Sequence, residues 1–264
     1  VSDNDGGIWV DCSHNNNITN NNVSLNKKDG IQLSYSDGNA VLHNAATKND
    51  LGLSLRFCRD NLIQHNNVEN NCGGISLYIS VENVLLENYA IKNDQSGIYL
   101  DESANNTVSS NTANEKGRFG IFLDESCSNN LSENNASSNE NDGIHLGTLS
   151  DYNAVTGNVV TSNMLRGMYL YYADKNILYK NSVLNNELDG IQLQDSDQNS
   201  IIDNTAIANK RCGVDIATSN GTLIKYNNIS ENHEDGISLL NSNYCTVTIN
   251  NVSSNREAGT VLFD

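Results

Sequence analysis

Gly97-Ile98-Tyr99-Leu100-Asp101-Glu102-Ser103 is followed 23 residues later by Gly120-Ile121-Phe122-Leu123-Asp124-Glu125-Ser126. The opening glycine recurs through the whole chain, at Gly7, Gly30, Gly52 and Gly74 before this pair and at Gly143, Gly167, Gly190, Gly213, Gly236 and Gly259 after it. The steps are 22 to 24 residues. A short unit repeated at that interval buries its apolar face only by stacking on its neighbours, which defines a solenoid. The unbroken period predicts one continuous domain over residues 1–264. The chain begins inside one repeat and stops inside another, so further repeats or domains are expected at both ends.

Within each unit the residue after the glycine is aliphatic (Ile31, Leu53, Ile75, Ile98, Ile121, Ile144), and so is the residue two places on (Leu33, Leu55, Leu77, Leu100, Leu123, Leu146). This alternation reads as a strand with both positions facing inward. Small residues, mostly serine, gather six places after the glycine, as a tight bend requires. Two more apolar columns follow, one through Ile63, Leu85 and Val108, the other through Val68, Ala90 and Ala113. Three short strands per coil, over about eleven coils of ~23 residues, predict an all-β, three-sided parallel β-helix on the order of 50 Å long. Paired helices need longer repeats and helix formers.

Asparagine supplies 48 of the 264 residues and keeps register. One column holds Asn21, Asn44, Asn66, Asn88, Asn111 and Asn134. Another, four residues before the next glycine, holds Asn26, Asn70, Asn93, Asn139 and Asn163. An amide donates and accepts, so asparagines one coil apart can bond along the stack, which gives these columns a structural role. Proline is absent, as a fold that uses every backbone N–H demands.

The Gly-Ile-x-Leu-x-x-Ser unit, followed by Asn, an aliphatic residue and Asn, resembles the NosD-type and carbohydrate-associated right-handed β-helix repeats. The resemblance covers the whole chain and implies the fold. It leaves activity open among copper-accessory proteins, surface proteins, polysaccharide lyases and uronan epimerases.

The formal charge of −17 opposes binding to nucleic acid, whose affinity rests on cationic contacts with phosphates. It suits an extracellular or cell-surface protein, and equally an acidic surface that resists self-association. No apolar run approaches the roughly 18 residues of a membrane helix. The six cysteines fall at different offsets, which excludes a ladder of disulfides and predicts mostly free, buried thiols.

Alternation turns the second and fourth residues after the glycine toward solvent. In the middle coils the second position reads Tyr99, Phe122, His145 and Tyr169, and the fourth reads Tyr78, Asp101, Asp124, Gly147 and Tyr171. Arg118 and Arg166 lie in the turns entering these strands. Rings beside carboxylates and guanidinium groups on one face suit polysaccharide binding, with aromatic faces on pyranose C–H groups. The alternative is a self-packing ladder of rings on a structural envelope module. A further reading is catalysis: Asp101 and Asp124, one coil apart, would raise one pKa or recruit Ca²⁺, and with His145 would supply acid and base to a lyase, epimerase or hydrolase. Even spacing, and the absence of an Asp-Pro-His or Gly-His-Gly motif, weigh against it. No cofactor is required by any of these readings.

His43 and His65 share an offset with Glu87 and form a candidate site for Zn²⁺, Cu²⁺ or Ni²⁺. Three rungs span nearly 10 Å, so only the two histidines could share an ion easily. An exposed polar column is the simpler reading.

Overall fold

The computed structural model describes residues 1–115 and 117–263. The chain winds as a right-handed parallel β-helix of about eleven turns, with every strand pairing in parallel with its counterpart one coil away. The first side is a continuous sheet of 12 strands and the second a sheet of 11. The third is divided into sheets of four and five strands. Between Tyr89–Ile91 and Val159–Thr161 it is joined only by single bridges at Thr112 and Asn135. Ala90, Ala113 and Ala136 occupy the inward position there, where Val68 and Val160 stand in flanking coils. Among the described residues no helix is long and apolar enough to cross a membrane.

Equal offsets become neighbours. Ile75 pairs with Ile98, Ile98 with Ile121, Ile121 with Ile144 and Ile144 with Met168. These side chains and the parallel leucine column are almost wholly buried. The repeat glycine is set by close approach. A Cβ on Gly97 would stand 2.8 Å from Ala113 Cβ and 2.9 Å from the carbonyl oxygens of Ala90 and Gly120.

Buried amides link the coils. The Asn66 carbonyl oxygen accepts from the backbone N–H of Asn44 at 2.9 Å and from its side-chain amide at 3.0 Å. The Asn66 amide donates in turn to Asn88 Oδ1 and to the carbonyl oxygens of Val41 and Gln64. The column near the repeat glycine runs Asn26, Asn49, Asn71 and Asn93, which corrects the expected Asn70. Asn70 is exposed at a φ of 57°, the turn residue beside the ladder. A third amide ladder, through Asn39, Asn61, Asn83, Asn106 and Asn129, was not anticipated. Serine hydroxyls bond similarly from Ser80 to Ser103 and Ser126. All six cysteines are free, but only Cys58 and Cys212 are buried, so burial of most of them is corrected.

The coil of 24 residues from Gly143 to Gly167 keeps its ladders in register by placing its additional residue in a turn, where Ser150 N–H donates to Gly147 C=O at 3.1 Å.

Asn66→Ala should lower stability by roughly 2–4 kcal/mol, because it removes one amide and orphans buried donors and acceptors in two neighbouring coils. The exposed neighbour substitution Asn67→Ala should change it by less than about 0.5 kcal/mol. Urea midpoints of the two variants check this.

Candidate functional site

The outer face of the first side brings the aromatic residues together. Tyr99 and Phe122 stack with centroids 5.1 Å apart and planes 18° from parallel. His145 meets Phe122 edge-on at 5.0 Å and Tyr169 at 4.9 Å. Tyr169 contacts Tyr171 at 5.9 Å, and Tyr171 packs on Tyr172 at 4.5 Å. The expected run is therefore continuous, but its members spend much of their ring area on one another. Tyr169 departs furthest from the expected exposure, with 9% of its surface accessible. The Arg166 guanidinium lies 4.1 Å over its ring, and its hydroxyl donates to Gln194 Oε1 at 2.8 Å. Burial pushes the Tyr169 phenol up to about 12 against the opposing effect of Arg166. Burial, reinforced by Asp101 and Asp124, raises Tyr99 as well.

The residue just before the repeat glycine returns to this face, which alternation counted forward from the glycine did not show. Phe119 lies 5.0 Å from both Phe122 and His145. Phe119, Phe122, Tyr99, Arg118, Gln95 and Ser96 line a cavity of about 200 Å³. Arg118 is exposed and forms no ion pair with any described residue, in contrast to Arg166. Gly117 permits this turn: a Cβ there would stand 2.9 Å from the Gln95 carbonyl oxygen and 3.2 Å from that of Asn93. In sequence, Lys116 stands where the amide column after Asn93 would next require asparagine; it lies outside the described residues.

Asp142 occupies the same pre-glycine position one coil on. Its buried carboxylate bonds His145 Nδ1 at 3.0 Å, accepts Arg166 N–H at 3.0 Å and pairs with the Arg166 guanidinium at 3.6 Å. Arg166 also donates to Gln192, whose amide donates to Asp215 at 2.7 Å. His145 is thus tied to Asp142 at the entry edge of the strand. Asp101 and Asp124 sit in register with each other at the opposite edge. Asp101 is raised above the ordinary carboxylate range by burial, with Asp124, Glu102 and Glu125 adding to the effect. The three residues expected to act together therefore lie on one face, with His145 engaged by a partner the sequence reading missed.

At the bend between the second and third strands of successive coils, His43 and His65 stack face to face with centroids 5.0 Å apart, and His65 Nε2 lies 3.1 Å from Glu87 Oε2. Stacked rings direct their nitrogens alongside one another rather than toward a shared point. Among the described residues no group of three or more His, Cys, Asp or Glu is arranged to hold a metal ion.

The sequence matches the family described as right handed beta helix region over residues 1–136, 51–160 and 115–252. The chain belongs to that family. No curated relative matches it. Among solved structures it is similar to the periplasmic alginate epimerase AlgG, at 15% identity over 88% of this chain and 77% of that one, with a TM-score of 0.62. It is similar to the Dettilon tailspike protein at 13% identity over 97% and 62%, with a TM-score of 0.70. The A-module of the Azotobacter vinelandii mannuronan C-5 epimerase AlgE4 matches at 15% identity over 95% and 90%, with a TM-score of 0.53. At these identities the likeness shows the fold alone.

Further along the family's first sheet, the pre-glycine position holds Asp189, fully buried, which accepts Cys212 N–H at 3.1 Å and pairs with Arg211 at 3.3 Å. Burial, with Asp215 adding to it, lifts this carboxyl from 3.8 to about 6, over the opposing pull of Arg211. A folded pKa above the unfolded one means that protonation favours the fold. The contribution is complete below about pH 4 and is lost as pH rises through about 6. Wild type should therefore gain more thermal stability than Asp189→Asn as pH falls across that window. Parallel slopes of midpoint against pH for the two proteins would contradict this assignment.

Proposed function

We propose that this protein is a polysaccharide-binding β-helix module, acting outside the cell or at its surface. The observation that carries the reading is the cavity between Tyr99, Phe119 and Phe122 with Arg118 at its edge. A pyranose ring needs an apolar wall and convergent hydrogen-bonding groups. Here the rings give the wall, Gln95 and Ser96 give polar groups, and Arg118 has a guanidinium with no carboxylate partner among the described residues. That guanidinium suits a sugar carboxylate or paired hydroxyls. It also offers a local cation on a chain of net charge −17. In the same coils the third side departs from the regular pattern, its sheet being interrupted at Thr112 and Asn135. Departures from an otherwise uniform pattern concentrate at functional sites. Two proteins of the same fold are named for alginate and mannuronan, and only the general class of ligand is extended to this chain.

A second reading, catalysis on the same glycan, is favoured by the Asp142–His145 pair. With Nδ1 held by a buried carboxylate, the imidazole is fixed in orientation, and no described residue bonds Nε2. Such a group can exchange a proton with a bound sugar. Asp101 and Asp124, with Ca²⁺ between them or without it, would act from the opposite edge.

Affinity electrophoresis in gels containing polygalacturonate, alginate, xylan or glucomannan tests binding. At least one polymer should retard the protein, and Tyr99→Ala or Arg118→Ala should each weaken that retardation by about tenfold while the thermal midpoint stays near wild type. Loss of retardation only in variants that also unfold would remove the site. Release of unsaturated uronates or new reducing ends, abolished in His145→Ala, would instead establish catalysis.

A further inference from the structure

The cavity at Tyr99 does not close toward the start of the chain. A smaller hollow of about 30 Å³ shares Gln95, Ser96 and Tyr99 with it and extends to Ser76. Ser76 and Ser54 precede Tyr99 in the same outward column, so this part of the face has a low floor and leaves one face of the Tyr99 ring without an aromatic neighbour. At the next position the Ser54 hydroxyl donates to buried Asp29 at 2.5 Å, and Arg56 reaches the same carboxylate oxygen at 3.3 Å. The Arg56 guanidinium is thereby held across the strand.

One edge of this floor is walled by rings. Tyr78 stands in register with Asp101, and Phe57 meets Tyr78 edge-on at 5.5 Å. Phe57 and Tyr35 stack at 4.7 Å with planes 3° from parallel, yet remain 38% and 55% exposed. Both occupy a turn position that the fold holds in the left-handed region, with φ of 48° for Tyr35 and 55° for Phe57. Asn, Asp and Gly tolerate that conformation best, and bulky residues there are uncommon and strained. Elsewhere the same position carries Cys12, Ile79, Glu102, Glu125, Tyr172, Asp195, Thr218 or Asn241, and only Tyr35 and Phe57 place rings there in two successive coils. A stacked pair of exposed rings, each held at a left-handed φ that costs the backbone, calls for a use outside folding.

We propose that Tyr35 and Phe57 form a remote platform for the same glycan chain that fills the Tyr99 cavity. This inference rests on the polysaccharide-binding reading. Three coil steps separate Tyr35 from Tyr99, about 14 Å along the axis at ~4.8 Å per step. A chain leaving the cavity over Ser76 passes Tyr78 and the Arg56 guanidinium before it reaches the two rings. A short fragment fills the cavity alone, and a longer one engages both places, so the platform selects for chain length.

The test uses tri- and octasaccharide fractions from partial hydrolysates of polygalacturonate, alginate, xylan and glucomannan, two acidic and two neutral polymers, titrated by calorimetry into the full chain. The variant is Tyr35→Asn/Phe57→Asn, which removes both rings and places at each turn a residue suited to positive φ. Octasaccharide affinity should fall about tenfold and trisaccharide affinity should hold, whereas Tyr99→Ala should weaken both. The thermal midpoint of the double variant should stay level or rise. Unchanged octasaccharide affinity, or an equal loss for the two lengths, overturns the platform while leaving the cavity reading in place. Binding of none of the four polymers' fragments by wild type overturns the platform and the cavity reading together.

Discussion

Register between coils governs everything else in this molecule, and buried amides enforce it. Most ladder asparagines offer the side-chain oxygen to two donors of the preceding coil, as Asn66 does for Asn44. Its own amide then reaches forward to Asn88 and back to Val41. Slipping a coil by one residue would leave these buried groups unpaired, at a cost of about 1–3 kcal/mol for each. Turn lengths are therefore nearly invariant. Where one turn grows, between Gly147 and Ser150, the added residue is absorbed before the next ladder position. Hydrophobic burial drives the stacking and opposes the same slip, since a shift of one residue would turn each inward aliphatic side chain outward.

The same register limits what the surface can do. A ring placed at a constant offset meets the ring of the adjacent coil, and the pair satisfies its quadrupoles by stacking or by edge contact. Tyr99, Phe122, His145 and Tyr169 follow this rule. An aromatic ladder is thus partly self-satisfied, and its free surface lies at edges, at the ends of the run and in gaps beside it. Those are the places where a ligand can gain: the open face of Tyr99 above Ser76, and the recess where Phe119 and Arg118 enter from the preceding turn.

The glycine period and the two aliphatic columns were enough to read the fold from the sequence, because each column has one physical meaning whatever its neighbours. The face was also legible, since alternation needs no coordinates. Four features were not. Asn70 and Asn71 are adjacent and identical, and only the left-handed φ of the first tells which one enters the ladder. The amides through Asn39, Asn61 and Asn83 were hidden among so many asparagines. Asp142, Asp189 and Phe119 precede the glycine, where alternation breaks, so their return to the outer face depends on the tight approach that glycine allows. Their shared offset was a signal in the sequence, but its direction needed backbone geometry. The burial of Tyr169 under Arg166 depends on a side-chain conformation that no periodicity encodes.

Regularity and recognition pull in opposite directions along such a rod. A perfect repeat presents every coil alike, so it can hold a polymer at many offsets but cannot favour one. Coils near Tyr99 to Tyr169 break that equivalence several times over: the third side carries three successive alanines where its sheet is interrupted, Gly147 replaces a side chain at the fourth position, and Asp142 ties His145 to Arg166. The long regular flanks on both sides supply the stability that lets this middle section persist, and so the ladders far from the face hold Arg118, Phe119 and Tyr99 in place as effectively as their own contacts do.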